Sequence, residues 1–278
     1  LNDKVQKLLT SLKVLPPSPA LLSRLLPILS DVDGNFDEVI DIISLEQSLT
    51  AKLLQLCNTA FFGQSEPVST VVEAVNRMGY QSVYMLVAVL NGSASFPWPS
   101  PKGIDAGKLW RHSVLSAFSS RFAAETAHLD SNLAFTAGLM HDIGKVILCQ
   151  VPPTNHPPNF TAPTTAASLE HELAGYGVTH AEVGAALLER WKLPAQLAVS
   201  VRYHHDPKSA KGFEALTACV TAGNLFTHSE LHPKVLESPE FATALEILHL
   251  DNGHLPRWRK KMDNSQEFID NMSRLPLL

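Results

Sequence analysis

In the stretch GLMHDIGKVIL, His141 and Asp142 set an imidazole and a carboxylate side by side within an otherwise apolar run. Further imidazoles recur along the chain: His112 in KLWRHSVL, His180 in VTHAEVGA, and the adjacent His204 and His205 in VRYHHDP. Imidazole nitrogen with carboxylate oxygen is the donor set of Zn, Fe, Mn or Ni, and helical proteins build such centres from side chains converging from facing helices. Neighbouring helical residues project about 100° apart, so His141 and Asp142 can share an ion, or bridge two, only from the arc between them. Lys145 stands four residues after His141 on the same helical face, where its charge can meet a phosphate. A single histidine in a helical protein is more often a surface or hydrogen-bonded residue, and His171 in LEHELAG and His228 in LFTHSEL are assigned that plainer role. The double histidine before Asp206 also suits a helix end, where imidazole complements the dipole. Five imidazoles and a carboxylate within one part of the chain, with the small Gly144 and Lys145 following, set ligation against that plainer role.

The elements that must carry these residues read as helices. Apolar residues recur at three- and four-residue spacing with no sustained strand alternation, which predicts an all-α chain. Ser18 before Pro19 reads as a helix start, NFDE (35–38) and THAE (179–182) have capping-box spacing, and Pro194 opens another helix. Each of the five histidines is thereby placed on or near a helix end. Gly63, Gly79 and Gly177 mark breaks. The stretch 91–107, NGSASFPWPSPKGIDAG, interrupts the helices and joins two sub-bundles, and the Pro-rich 151–165 is expected to be a surface loop. LLQLCNTAFFG reads as an apolar helix that ends with Asn58 and Thr59 satisfying its last turn and Phe61 and Phe62 in the core or between lobes. No internal repeat is evident.

Composition narrows the function classes. With 278 residues, 45% of them hydrophobic, the chain can bury a sizeable core in one or two domains. A charged content of 18% and a net charge of −5 argue against nucleic acid as a partner, and RWRKK (257–261) is too short to be a phosphate-binding stripe. Cys57, Cys149 and Cys219 are widely spaced within apolar runs, as expected of buried thiols in a reducing compartment. The charged, amphipathic start LNDKVQKLLTSL does not read as a signal segment, no apolar run reaches membrane-spanning length, and the expected compartment is the cytoplasm.

The motifs MHDIGK, WRHS, HAEVGA and YHH together resemble the HD superfamily of metal-dependent phosphohydrolases. The segments LPPSPALLSRLLPILSD, IISLEQSLTAKLLQLCNTAFFG and VSTVVEAVNRMGYQSVYMLV narrow the likeness to the HDOD family of bacterial signalling proteins, over roughly residues 12–230. The resemblance implies a two-lobed all-α bundle: an N-terminal helical lobe (1–104), an HD-like lobe with a metal-type site (105–230) and a C-terminal helical extension (231–278). It implies a regulatory module that acts through contacts with signalling proteins or domains, its N-terminal lobe narrowing access to the HD-like lobe. It also implies one or two divalent transition ions (Fe, Mn, Zn or Ni) on His112, His141, Asp142, His180, His204 and His205, and a nucleotide or phosphate as a candidate ligand. This chain departs from the HD-type cyclic-dinucleotide phosphodiesterases in two places. DPKSAKGF stands where a GYP signature would follow His205, and Gly223 or Asn224 in CVTAGNLF replaces the last aspartate ligand. Those losses favour binding over turnover. The alternative is a working phosphohydrolase on a nucleotide or cyclic dinucleotide, with Asp142 and Lys145 as its catalytic pair. A scaffold without metal would instead leave the histidines pointing in different directions.

Overall fold

The computed structural model describes residues 3–12, 36–59, 67–94, 105–153 and 166–274, and residues 21, 24, 25, 27, 28, 62 and 160 besides. Ser18, Asn35, Phe61, Gly63 and most of the two Pro-rich stretches lie outside these residues. Among the described residues every regular element is a helix, and none is long and apolar enough to cross a membrane.

The first helices are α1 (Asp3–Ser11), α2 (Phe36–Leu45), α3 (Gln47–Cys57), α4 (Val71–Met78) and α5 (Tyr80–Ser93). Local chemistry sets their ends. Thr70 and Glu73 form a reciprocal capping box at the start of α4, and Gly79, at φ 75°, turns the chain directly into α5. Asn58 closes α3 by exchanging two hydrogen bonds with the backbone of Val68, at 3.0 and 2.8 Å. Helices α2 to α5 pack around Val39, Ile43, Leu53, Val75, Val83 and Leu86, all buried.

The remaining helices gather around α6 (Ala106–Thr126), which α7 (Ser131–Met140), α12 (Glu214–His228) and α14 (Leu255–Arg274) all touch. Between them come α8 (Ile143–Leu148), α9 (Ala166–Tyr176), α10 (His180–Arg190), α11 (Ala195–Tyr203) and, after α12, α13 (Pro239–Ile247). The capping box at Thr179 and Glu182 is present, and α11 starts directly after Pro194. The interruption expected at 91–107 is shorter than its composition suggests, because α5 runs through Ser93 and Asp105 already caps α6.

Four glycines let these helices approach closely. A Cβ on Gly144 would lie 1.9 Å from the carbonyl oxygen of His180 and 2.7 Å from the nitrogen of Gly184, so α8 and α10 meet backbone to backbone. A Cβ on Gly138 would meet the Ser120 hydroxyl at 2.6 Å, and one on Gly223 would meet the Ser120 nitrogen at 2.4 Å. Gly138 and Gly223 thereby bring α7 and α12 onto α6. Any larger residue at these positions would push the helices apart.

One hydrophobic cluster runs from Val5 to Met272. Tyr84 on α5 donates to the carbonyl of Asn132 at 3.1 Å and bonds Thr136 on α7. From α14, Ser273 accepts the Trp110 indole N–H at 3.1 Å, and Phe268 meets both Phe62 and Phe118 edge-on. Helix α1, which precedes the α2–α5 group in sequence, packs on α10 of the later group.

Candidate metal centre

Three chain breaks deliver most of the polar side chains to one place. His141 ends α7, Asp142 begins α8, His180 is the first residue of α10, and His204 ends α11 with His205 next. His112 departs from the helix-end expectation, because the Asp105 cap starts α6 early and leaves His112 inside a 21-residue helix. The break between His141 and Asp142 also removes the 100° constraint of a continuous helix, so both side chains enter the same space.

The residues form two groups of three: His112, His141 and Asp142, and His180, His204 and His205. Within each group the donor atoms lie within 4.8 Å of one another. Asp142 stands between the groups. Its Oδ2 is 3.2 Å from His141 Nε2 and 3.6 Å from His112 Nε2, while Oδ1 is 3.3 Å from His180 Nε2. His141, Asp142, Lys145, His180 and His204 are buried, and His112 and His205 carry what exposure the centre has.

Hydrogen bonds behind the rings set the tautomers. His141 Nδ1 lies 2.7 Å from the carbonyl of Gly138, and His204 Nδ1 lies 2.7 Å from that of Val201. A carbonyl oxygen only accepts, so each Nδ1 carries the proton and each neutral ring keeps its lone pair on Nε2. His180 Nδ1 faces the two oxygens of Glu172 at 2.9 and 2.8 Å, and its backbone N–H donates to the same carboxylate at 2.7 Å. This too leaves the lone pair of the neutral ring on Nε2.

The ring nitrogens on the inner side lie close together. The Nε2 atoms of His112 and His141 are 3.4 Å apart, those of His180 and His204 3.4 Å, and those of His205 and His180 3.2 Å. Burial is the main reason why His112, His204 and His205 are held well below the ordinary histidine range; His228 adds to it at His112, His141 at His204 and His204 at His205. At His180 and His204 two such lone pairs face each other and repel unless a cation stands between them, whereas the Nε2 of His112 and of His205 can also carry the proton and donate to the neighbouring ring. Donors of a tetrahedral ion with bonds of about 2.1 Å are themselves about 3.4 Å apart, so the spacing fits a transition ion. The carboxylate is ready as well. Burial alone would raise Asp142, but its neighbours His141 and the Lys145 ammonium outweigh it and hold the group well below the usual carboxylate range. Asp142 Oδ1 is buried without a hydrogen-bond partner, as a ligand oxygen would be before an ion arrives.

Lys145 is the residue whose charge could meet a phosphate. Its ammonium instead donates to Asp142 Oδ2 at 2.8 Å, and the residue is 2% exposed. Two further residues belong to this centre although the sequence did not single them out for it. Glu172 orients His180. His228, assigned above to a plain surface or core role, stacks on His112 with ring centroids 4.3 Å apart, and its Nε2 is buried and unpartnered. Burial, then Lys145, push His228 down to about 4. Asn224, one helical turn before His228, has its Oδ1 buried without a partner. His171, next to Glu172, is exposed.

Comparison with known proteins adds the following. Residues 15–207 match the HDOD domain family. An uncharacterized protein of Treponema pallidum is 25% identical over 220 residues, which are 74% of this chain and 41% of that protein. Ribonuclease Y of Deinococcus radiodurans is 32% identical over 101 residues, which are 36% of this chain and 13% of that enzyme. The chain thus spans less than half the length of these relatives. Among solved structures, a proposed signal transduction protein of Marinobacter aquaeolei shares the fold with a TM-score of 0.77 at 20% identity, covering 99% of this chain and 65% of that one.

Proposed function

This chain belongs to the HDOD family, and from that premise we propose that it is a signalling module whose His/Asp centre holds one or two divalent transition ions and which acts through contacts with partner proteins. The observation that carries the metal reading is the set of Nε2 atoms 3.2–3.4 Å apart, with protons held on the far side of three of the rings. His112, His141 and Asp142 would hold one ion, and His180, His204 and His205 the other. When bound, such an ion supplies a Lewis acid and lowers the pKa of a water molecule on it.

The chain's own residues favour holding over turnover. Asp142 offers one oxygen to each group, and Lys145 is occupied by that same carboxylate rather than free for a substrate. The last carboxylate that the resemblance implies is replaced by Gly223 or Asn224, neither of which supplies a general base. Burial of five of the residues restricts the approach of any ligand to the side of His112 and His205.

One observation supports a second reading, a phosphodiesterase: the stretch shared with ribonuclease Y, whose name says that it acts on RNA. In that reading Asp142 would orient a hydrolytic water, and Lys145 would leave Asp142 to steady the phosphate. A single preparation tests both readings. Protein purified without chelator is expected to carry Zn, Fe, Mn or Ni by elemental analysis, and to leave a generic phosphodiester and a cyclic dinucleotide essentially intact. Protein that is free of metal and takes none up on titration contradicts the first reading. Hydrolysis at about 1 to 1,000 per second, lost in Asp142→Asn, promotes the second.

A further inference from the structure

The two groups differ in the charge that surrounds them. Asp142 Oδ2, the oxygen that faces His112 and His141, is bonded to the buried Lys145 ammonium at 2.8 Å. A positive charge is therefore already in place where an ion would arrive, and it occupies the oxygen that the ion needs. The group of His180, His204 and His205 has the opposite setting. Asp142 Oδ1 faces it with no hydrogen bond of its own, and behind His180 the buried Glu172 carboxylate accepts from both Nδ1 and the backbone N–H. A carboxylate behind a ligating imidazole fixes the ring and raises its basicity, whereas the rings of His141 and His204 are backed only by neutral carbonyls. The field of Lys145 reaches His205 as well as His112, so the discrimination comes from its bond to Oδ2 and not from distance alone.

Resting on the metal reading above, we infer that the two positions are unequal by construction: His180, His204 and His205, backed by Glu172, hold a resident ion, while His112, His141 and Asp142 hold an exchangeable one against which Lys145 competes. Lys145 is then a built-in antagonist of the second ion. Arrival of that ion requires the ammonium to give up Oδ2, so occupancy of this position follows the free metal concentration. Glu172 and Lys145 are positioning residues here, acting on the ions through His180 and Asp142.

The test is calorimetric titration of the full chain, stripped of metal, with Zn²⁺ alone, on wild type, Glu172→Gln and Lys145→Met. Wild type is expected to take two ions in separated steps, the first at least about tenfold tighter. Glu172→Gln is expected to weaken the first step by about ten- to a hundredfold. Lys145→Met is expected to tighten the second step and leave the first in place, a gain that loss of a merely structural lysine would not give. Two equal steps in wild type, weakening of the second step alone by Glu172→Gln, or a second step weakened or unmoved in Lys145→Met would each overturn the inference while leaving the metal reading intact. No uptake in wild type overturns both. Should Glu172→Gln fail to fold, the wild-type step separation and Lys145→Met still decide.

Discussion

Helices α2–α5 and the centre around α6 solve the problem of a helical core in different ways. Among the described side chains from 36 to 92 no charged group is buried, and apart from the Tyr84 hydroxyl the polar groups lie nearer the surface, some as caps, as at Thr70 with Glu73 or Asn58 with Val68. From Ser113 onward the buried set includes Arg121, His141, Asp142, Lys145, Glu172, His180 and His204. A region that needs only to fold buries apolar groups and has no use for interior charge. Interior charge is costly unless paired, so its concentration in one region marks where stability is traded for chemistry. The same contrast holds for the glycines: Gly79 serves a turn, whereas Gly138, Gly144 and Gly223 exist to bring ligand-bearing helices together.

The contrast can be broken experimentally, and the largest effect is expected at Asp142. Asp142→Ala removes the one carboxylate that both groups share, and metal affinity should fall by more than the ~100-fold typical of outer partners, read by equilibrium dialysis. Uptake unchanged from wild type would show that the carboxylate holds no ion. Next come two substitutions meant to separate the regions. Leu53→Ala, fully buried in the α2–α5 group, should cost about 2–5 kcal/mol in urea unfolding yet leave metal stoichiometry as it was. Gly144→Ala should cost about 1–3 kcal/mol or more, because its Cβ meets backbone rather than a side chain that can move, and it should lose metal as well. If both variants bind metal equally well, the close crossing of α8 and α10 is not what sets the ligand geometry.

A pH series comes next in size. His112, His204, His205 and His228 have folded values below that of an unfolded histidine, about 6.5, so in this range the unfolded chain binds more protons. Stability of the metal-free protein is therefore undiminished above about pH 6.5 and falls as pH drops, by up to about 1.4 kcal/mol per unit for each group. For His228 the loss ends near its folded value of about 4. Urea midpoints that stay flat from pH 7 to 5 would contradict buried neutral imidazoles. The smallest effect belongs to Thr70→Ala, which removes a cap from α4 and should cost about 1 kcal/mol with no change at the metal centre.

Much of this was legible in the sequence. Helical periodicity and the Thr179–Glu182 box follow from local rules, which failed where α6 started early enough to leave His112 inside it. The residues that escaped are those whose partners are distant or out of register. Glu172 lies eight residues before His180 across the turn at Gly177, a spacing that no helical pattern reveals, and its neighbour His171 points to solvent. His228 meets His112 only because Gly223 brings α12 onto α6, a packing that nothing in LFTHSEL announces. The docking of α1 on α10 was equally hidden, since its amphipathic face shows that it is covered but not by what.

Hydrogen–deuterium exchange on the chain with zinc and after chelation tests the central claim most directly. Zinc is expected to slow exchange around 138–145, 172–184 and 201–205, where ligands and their supports lie, while 36–78 exchanges alike in both states. Equal exchange everywhere, or protection gained chiefly in 36–78, would contradict a metal centre assembled by the helices around α6.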